Sequence, residues 1–516
     1  MRRLVLLFMA ITPMLLSAQN GCDFFEFREI EIEKTDINTT QSDFGPAFVD
    51  GELWLSAFSN EEIEKLSKGK SKKTYYNLFS IATDEFGHVT GSKKVEFEDI
   101  SAGYHAGPVS YCDKTKELFV TINNYENPEV RNKVYQKADI RLKIIIAQKE
   151  NNIWKVKEEI PFNDSAYSVG HPAISVTGDT LFFASDKPTG GFGGSDIYMT
   201  IRKNGVWSQP MNLGETVNSS ADEMFPFFLN GSILFYATNK GEDENADFNM
   251  QYVCLNTDGT FGIPVPLDEF NSDEDDFGLV IHPKQKVGYF VSRREGGLGD
   301  DDIYKVNFTG EYSLELIVMD SKTMLPFMNP VVQFSDNIAA KVAGELLSRP
   351  LDENSSVTAS TSYEGYMNTS KTISTIDKPY GIIRDTLWIE KVEVKQIFVM
   401  ENIYYDFDKW NILPESADEL DKLVKVLNDN PSWKVELGSH TDSRGSDRYN
   451  MKLSQRRSDS AVGYIIEKGI EKDRIIAKGY GESQLVNRCA NGVPCSKEEH
   501  RKNRRTEFKI LEMDGK

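Results

Sequence analysis

The amino-acid sequence predicts a multidomain chain: an all-β five-bladed propeller, then a small β-sandwich, then a C-terminal α+β domain of β-α-β-α-β-β order. Three observations predict it. A pattern of short strands recurs five times between Ser42 and Asn307, with four strands in each of the first four units. About 85 residues of alternating apolar positions and turn signals follow. From about residue 400 onward, helix-like and strand-like periods alternate. The expected boundaries are 1–18 for a leader, 25–307 for the propeller, 308–396 for the sandwich and 400–516 for the last domain.

The first eighteen residues, MRRLVLLFMAITPMLLSA, combine two arginines, an apolar run and a small residue at Ala18. That is the pattern of a secretory signal peptide, with cleavage after Ala18 and a mature chain starting at Gln19. The alternative, a lipoprotein leader ending at Cys22, is disfavoured by Gln19, Asn20 and Gly21 ahead of the cysteine. No later run approaches the roughly 18 apolar residues of a membrane helix, so the expectation is an exported, soluble chain. The net charge of −21 argues against nucleic acid or anionic lipid as partners. Five cysteines are too few for a disulfide-built scaffold. Cys489 and Cys495 flank ANGVP and are expected to form a local bridge, whereas Cys22, Cys112 and Cys254 are each expected to be buried or free.

Each repeat opens on FGPAF, AGPVS, GHPAIS, MFPFF or DFGLVI, and Pro46, Pro108, Pro172 and Pro226 mark the first four. The second strands are ELWLSAF, ELFVTIN, TLFFASD, SILFYAT and KVGYFVS; the third are NLFSIAT, DIRLKIIIA, DIYMTIR, NMQYVCL and DIYKVN. Four short antiparallel strands at this period make a propeller blade. The fifth unit lacks a fourth strand, and FFEFREIEIEK near the start of the chain has no neighbour to pair with. Placing it in the fifth blade closes the ring and removes an exposed edge. The acidic runs DEDD and GDDD lack the spacing of a calcium loop and read as solvated loops.

Catalysis finds little support. There is no G-x-S-x-G and no H-E-x-x-H, and the six histidines show no metal-ligand spacing, so no enzyme activity, metal or cofactor is expected. His171 and His282 fall at apparently equivalent places in two units and read as repeat residues.

Two of these segments resemble known families. GHPAISVTGDTLFFASDKPTGGFGGSDIYMT and REGGLGDDDIYKV are similar to the WD-like propeller repeats of exported TolB-like proteins. DSKTMLPFMNPVVQF and the later YEGY resemble carboxypeptidase-regulatory-like domains, which implies an immunoglobulin-type spacer without catalytic residues.

In the last domain IYYDF reads as a strand, and Pro414 suits a first helical turn. Leu420, Leu423, Val424 and Leu427 then give that helix an apolar face. WKVELG, RIIAKGYG and RTEFKIL read as strands, and about Asp447 to Lys468 as a long helix. On that helix Leu453, Arg457, Ala461 and Ile465 share a side, which Asn450 joins. An arginine in an otherwise apolar stripe needs an anion or a route to water. With Asp442 in the preceding loop it could hold a small zwitterion. Equally, Asp442 and Arg457 could pair with each other, or Asp442 could cap the helix.

The segment SHTDSRGSDRYNMKLSQRRSDSAVGYI, with GYGES and NRRTEF after it, closely resembles the OmpA-like C-terminal domain over about 110 residues. The resemblance implies non-covalent binding of peptidoglycan, with Asp442 and Arg457 holding the diaminopimelate of the stem peptide. Thr441, Asn450 and Leu453 match positions lining the same groove. It implies a cell-envelope protein of the periplasm, associated with the outer membrane and cell wall. The propeller would hold an unidentified periplasmic or outer-membrane partner. A subunit of a type IX secretion or gliding machine, with the same order of domains, is the alternative; a propeller hydrolase stands behind both.

Overall fold

The computed structural model describes residues 24–25, 28–59, 75–96, 104–124, 141–241, 246–400, 412 and 414–513. The expected leader, Cys22 and the IYYDF strand lie outside the described residues. The chain divides into two units, Met1–Glu311 with Asp377–Gly381, and Tyr312–Ile376 with Ile382–Lys516.

The first unit holds five antiparallel sheets. The first orders Phe44–Val49, Glu52–Ala57, Asn77–Ala82 and Lys94–Glu96; the second orders Ala106–Cys112, Glu117–Asn123, Leu142–Glu150 and Ile153–Glu159. The third orders Val169–Ile174, Thr180–Ser185 and Asp196–Lys203, which pairs with both Val206–Trp207 and Met211–Asn212. The fourth orders Glu223–Leu229, Ile233–Thr238, Asn249–Cys254 and Val265–Pro266. The fifth takes Asp276–Ile281, Val287–Ser292 and Asp302–Gly310 from one end of the unit and Arg28–Lys34 from the other. That N-terminal strand pairs antiparallel from Arg28↔Gly310 to Lys34↔Tyr304. Second strands such as Ile233–Thr238 and Val287–Ser292 are buried at every position. Both of their faces are covered, which is why they read as continuous apolar runs rather than as alternation.

The recurring X-Pro and Phe-Gly signatures encode a bulge. Every first strand shifts register at one place. The residue there is left-handed: Gly45, Gly107, His171, Phe225 and Gly278, with φ of 64, 102, 51, 53 and 69°. The first strands adjoin in sequence order, and the fifth adjoins the first again. His171 stacks on Phe225 at 4.1 Å between ring centres, and Phe225 packs on Phe277 at 4.5 Å. Register also corrects the equivalence expected for the two histidines. Gly278, not His282, matches His171, while His282 follows the end of its strand and packs on Phe48.

A second recurrence concerns asparagines in the segments that lead into the next sheet. Asn163 bonds both backbone groups of Ile144 (3.0 and 2.8 Å), Asn218 those of Ile197 (2.8 and 3.0 Å) and Asn271 those of Met250 (2.7 and 3.0 Å). Each target lies in the third strand of the preceding sheet. Asn38 does the same to Ile303, at 2.8 and 3.0 Å. The N-terminal segment therefore stands to the fifth sheet as these three connecting segments stand to theirs.

Three sequence readings need correction. The acidic runs are not simply solvated: Asp276 and Asp302 are buried. Asp276 accepts from Ser272 N–H (2.5 Å) and Arg294 (2.8 Å), and Asp302 from Leu298 N–H (2.5 Å). These carboxylates satisfy turn N–H groups that would otherwise be stranded. Cys254 is buried, as expected, but disulfide-bonded, whereas Cys112 is buried and free. The third concerns the last domain and is given below.

Burial pushes the His171 pKa from 6.5 down to about 4. The folded state therefore binds fewer protons than the unfolded chain between these values, and stability falls as pH drops through that window. Urea unfolding at pH 7 and pH 4.5 is expected to show a loss of roughly 2–3 kcal/mol from this residue. His171→Asn, which tolerates the left-handed backbone, is expected to lose that part of the pH dependence.

In the second unit, Tyr312–Asp320 alternates buried and half-buried positions along its length. It sits in a five-stranded sheet with Lys341–Ala343, Leu346–Leu351, Gly381–Lys391 and Tyr366–Met367. A separate three-stranded sheet joins Gln333–Phe334, Ser356–Thr361 and Thr369–Ser374. The following domain contains Ile397–Met400, the helix Pro414–Asp429, Lys434–His440, the helix Asp447–Glu467, Ile475–Gly481, the helix Lys497–Asn503 and Thr506–Glu512. Its sheet order is Ile397–Met400, Thr506–Glu512, Lys434–His440, Ile475–Gly481, with the last two parallel. Leu420, Leu423, Val424 and Leu427 are buried, as their spacing predicts. Asn430, just past that helix, exchanges two bonds with Asn368 (2.8 and 3.1 Å), tying the domain to the preceding sheets. The seven-residue helix Lys497–Asn503 is the correction: the expected order β-α-β-α-β-β has no helix between its last two strands. Seven residues are too few to show a helical period, yet its capping box, Ser496 with Glu499, was there to be read.

Candidate functional site

The site forms where the central strand Lys434–His440 ends. Thr441, Asp442 and Ser443 continue from it and are all buried. Ser446 then caps the long helix, its Oγ accepting from Tyr449 N–H at 3.3 Å. The helix face toward Ile475–Gly481 comprises Asn450, Ser454, Arg457, Ser458, Ala461, Val462 and Ile465. This modifies the expected stripe, which is apolar only from Ala461 onward. Its first half is small and polar because the strand comes very close: Gly481 N–H donates to Ser454 Oγ (2.8 Å) and Ser458 Oγ to Lys478 O (2.9 Å). A side chain at Gly479 would meet Gln455 N at 2.3 Å, so only glycine fits there. Arg457 is buried where the polar half gives way to the apolar one, and Leu453 is only half-buried.

Asp442 is the electrostatic centre. Its carboxylate accepts from Arg444 Nη2 (2.8 Å), Arg504 Nη1 (2.6 Å) and Arg444 N–H (3.0 Å). Burial alone would raise its pKa, but the hydrogen bonds from Arg444 and Arg504 prevail and hold it at about 2. Asn450 Nδ2 donates to Asp442 O at 3.1 Å and also bonds Glu482, whose other oxygen accepts from Asn491 at 2.5 Å. Thr441 N–H donates to Gly481 O (2.9 Å), while its buried Oγ1 has no hydrogen-bond partner among the described residues. Of the residues singled out from sequence, Asp442, Thr441 and Asn450 thus meet directly, with Arg457 two turns along the same helix face. Arg444, Arg504 and Glu482 were missed. Arg504 and Glu482 lie inside the NRRTEF and GYGES segments already quoted; Arg444 carried no signal beyond its charge.

Cys489 and Cys495 form a disulfide, with Cα atoms 5.8 Å apart. Ser443 Oγ donates to Cys489 O at 2.6 Å, so the bridged loop is tied to the segment carrying Asp442. Because the closed loop is short, reduction is expected to cost only about 2 kcal/mol. Thermal melts with and without reductant, alongside Cys489→Ser/Cys495→Ser, check this.

A mostly β chain that ends in an α/β domain with an ionised, arginine-held carboxylate at a strand end is the class defined so far. Residues 404–501 match the OmpA family, so the C-terminal domain is an OmpA-family domain. The chain is 39% identical over 105 residues to an outer membrane protein A of Escherichia fergusonii, covering 20% of this chain and 43% of that one. It is 38% identical over 117 residues to a photosystem I P700 chlorophyll a apoprotein A2 of Gloeobacter violaceus, covering 22% and 13%. The chain therefore spans less than half the length of these curated relatives. Among solved structures, the peptidoglycan-associated lipoprotein of Burkholderia pseudomallei aligns at 20% identity and a TM-score of 0.19, covering 21% of this chain and 86% of that one.

Proposed function

We propose that this is a non-enzymatic cell-envelope protein whose residues 400–516 bind peptidoglycan, with Asp442 and Arg457 holding the diaminopimelate of the stem peptide. Thr441, Asn450 and Leu453 line the same groove. The observation that carries the reading is the buried carboxylate of Asp442, kept ionised at the end of a strand within a segment matching the OmpA family. An ionised acid in a sheltered place is suited to an ammonium, and a buried guanidinium to a carboxylate. The unpaired hydroxyl of Thr441 adds a hydrogen-bonding group that a ligand can satisfy.

In this reading the five sheets are the blades of a five-bladed propeller spanning residues 25–307. The cyclic adjacency of their first strands and the N-terminal strand in the fifth sheet support it. The sheets of residues 308–396 are a carboxypeptidase-regulatory-like spacer. The ring holds a periplasmic or outer-membrane protein, and the whole resides in the periplasm against the outer membrane and wall. Co-sedimentation of the folded chain with purified sacculi tests the function: the chain is expected in the pellet, and a chain that stays in solution overturns the proposal.

A further inference from the structure

The carboxylate of Asp442 is already occupied. Arg444 Nε lies 3.2 Å from Oδ1 and its Nη2 2.8 Å from Oδ2; the Arg444 backbone N–H adds 3.0 Å to Oδ1, and Arg504 Nη1 2.6 Å to Oδ2. Four donors meet a group with about four acceptor positions. On the wall-binding reading above, from which this inference starts, a ligand ammonium can reach Asp442 only by displacing one of the arginines. The two differ in freedom. Arg504 is the C-cap of the helix Lys497–Asn503 and its side chain is 36% exposed. Arg444 is 57% exposed, sits in an open turn and precedes Gly445, which has φ +125°. Arg444 is the one that yields.

A displaced guanidinium beside a bound zwitterion has an anion at hand, the carboxylate of that same zwitterion. We propose that Arg444 exchanges partners on binding, leaving Asp442 to the ligand ammonium and taking up a ligand carboxylate, so that the site prefers diaminopimelate with a free carboxyl over its carboxamide. For the acid, the broken Arg444–Asp442 pair is replaced by two, Asp442 with the ammonium and Arg444 with the carboxylate. For the amide, only the ammonium pair forms and Arg444 is left without an anion, because a carboxamide cannot accept the two-pronged guanidinium bond as a carboxylate does.

Calorimetry on the full chain tests this, using the tripeptide L-alanyl-γ-D-glutamyl-meso-diaminopimelate and the same peptide with its terminal diaminopimelate carboxyl amidated. The wild type is expected to favour the acid by roughly tenfold. In Arg444→Ala the ratio is expected to fall to near one, mainly because the amide binds more tightly once no ion pair must break. Both proteins are titrated at a temperature where their melting curves show them folded, which excludes a folding defect as the source. An unchanged ratio in Arg444→Ala, or a wild type without preference that still binds both peptides, overturns the exchange and leaves wall binding intact. A wild type that binds neither peptide overturns the wall-binding reading and the exchange with it.

Discussion

Arg457→Ala and Asp442→Ala are each expected to weaken sacculus binding by roughly ten- to a hundredfold, because a charge-assisted bond in a sheltered groove contributes on the order of 1.5–3 kcal/mol. Arg457→Lys is expected to fail nearly as badly, since an ammonium cannot reproduce the planar two-pronged grip on a carboxylate. The geometry sharpens the competing explanation. Asp442 also neutralises Arg444 and Arg504, so removing it leaves two guanidinium groups facing one another and lowers the melting temperature in its own right. Binding must therefore be compared at a temperature where every variant is folded. If Asp442→Ala melts earlier yet sediments with sacculi as the wild type does, the aspartate is a brace and not a ligand contact. Undiminished sedimentation of both alanine variants rejects the site. The depressed Asp442 pKa of about 2 sets the acid limit as well. Its contribution is complete above the ordinary carboxylate value near 4 and fades only as pH falls toward 2, so this residue gives binding no pH dependence between about pH 5 and 8.

The second large effect concerns the ends of the five-sheet unit. A chain beginning at Ser42 loses the strand Arg28–Lys34, the two bonds of Asn38 to Ile303, and the packing of Phe24, Phe25, Ile30, Ile32 and Ile37 against the core. A buried apolar side chain contributes about 1.5–3 kcal/mol, so even with partial burial the sum exceeds roughly 5 kcal/mol. For a unit of this size the midpoint is expected to fall by about 10–20 °C. Truncation also exposes the edge of Asp302–Gly310, and aggregation on heating is expected to increase. Asn38→Ala is the milder probe. It strands the backbone N–H of Ile303, whose carbonyl keeps the 2.7 Å bond from Thr35 Oγ1, and is expected to cost about 1–3 kcal/mol. A truncated chain that melts with the full one removes the N-terminal strand from the fold.

Much of this architecture could be read from the chain because it rests on repetition and period. The second strands are buried on both faces, so KVGYFVS and SILFYAT announce themselves as unbroken apolar runs. The orphan REIEIEK was identifiable because one unit was a strand short. The clasping asparagines escaped notice since they lie in segments that read as turns, and their role is played by side-chain amides reaching across to backbone some 20 or more residues away. In the last domain, Arg457 stood out as a charge in an otherwise apolar stripe, and Asp442 as a carboxylate in the loop before it. What they touch did not, because Arg504 comes to Asp442 from 62 positions along the chain. The long helix was misjudged in character for a related reason: serines at Ser454 and Ser458 look like exposed surface until the close approach of Gly479 and Gly481 is known.

The pairing of Arg28 with Gly310 has a mechanical consequence. Both termini of the five-sheet unit leave from the same end of the same two strands. A load drawn between residue 311 and the start of the strand Arg28–Lys34 would fall first on that terminal rung and open the ladder one pair at a time, the weakest direction in which to pull a hairpin-like ribbon apart. A load applied to the five sheets directly does not pass through that rung. If the chain carries tension between a wall and a partner, the partner's grip belongs on the sheets and not on the N-terminal tail.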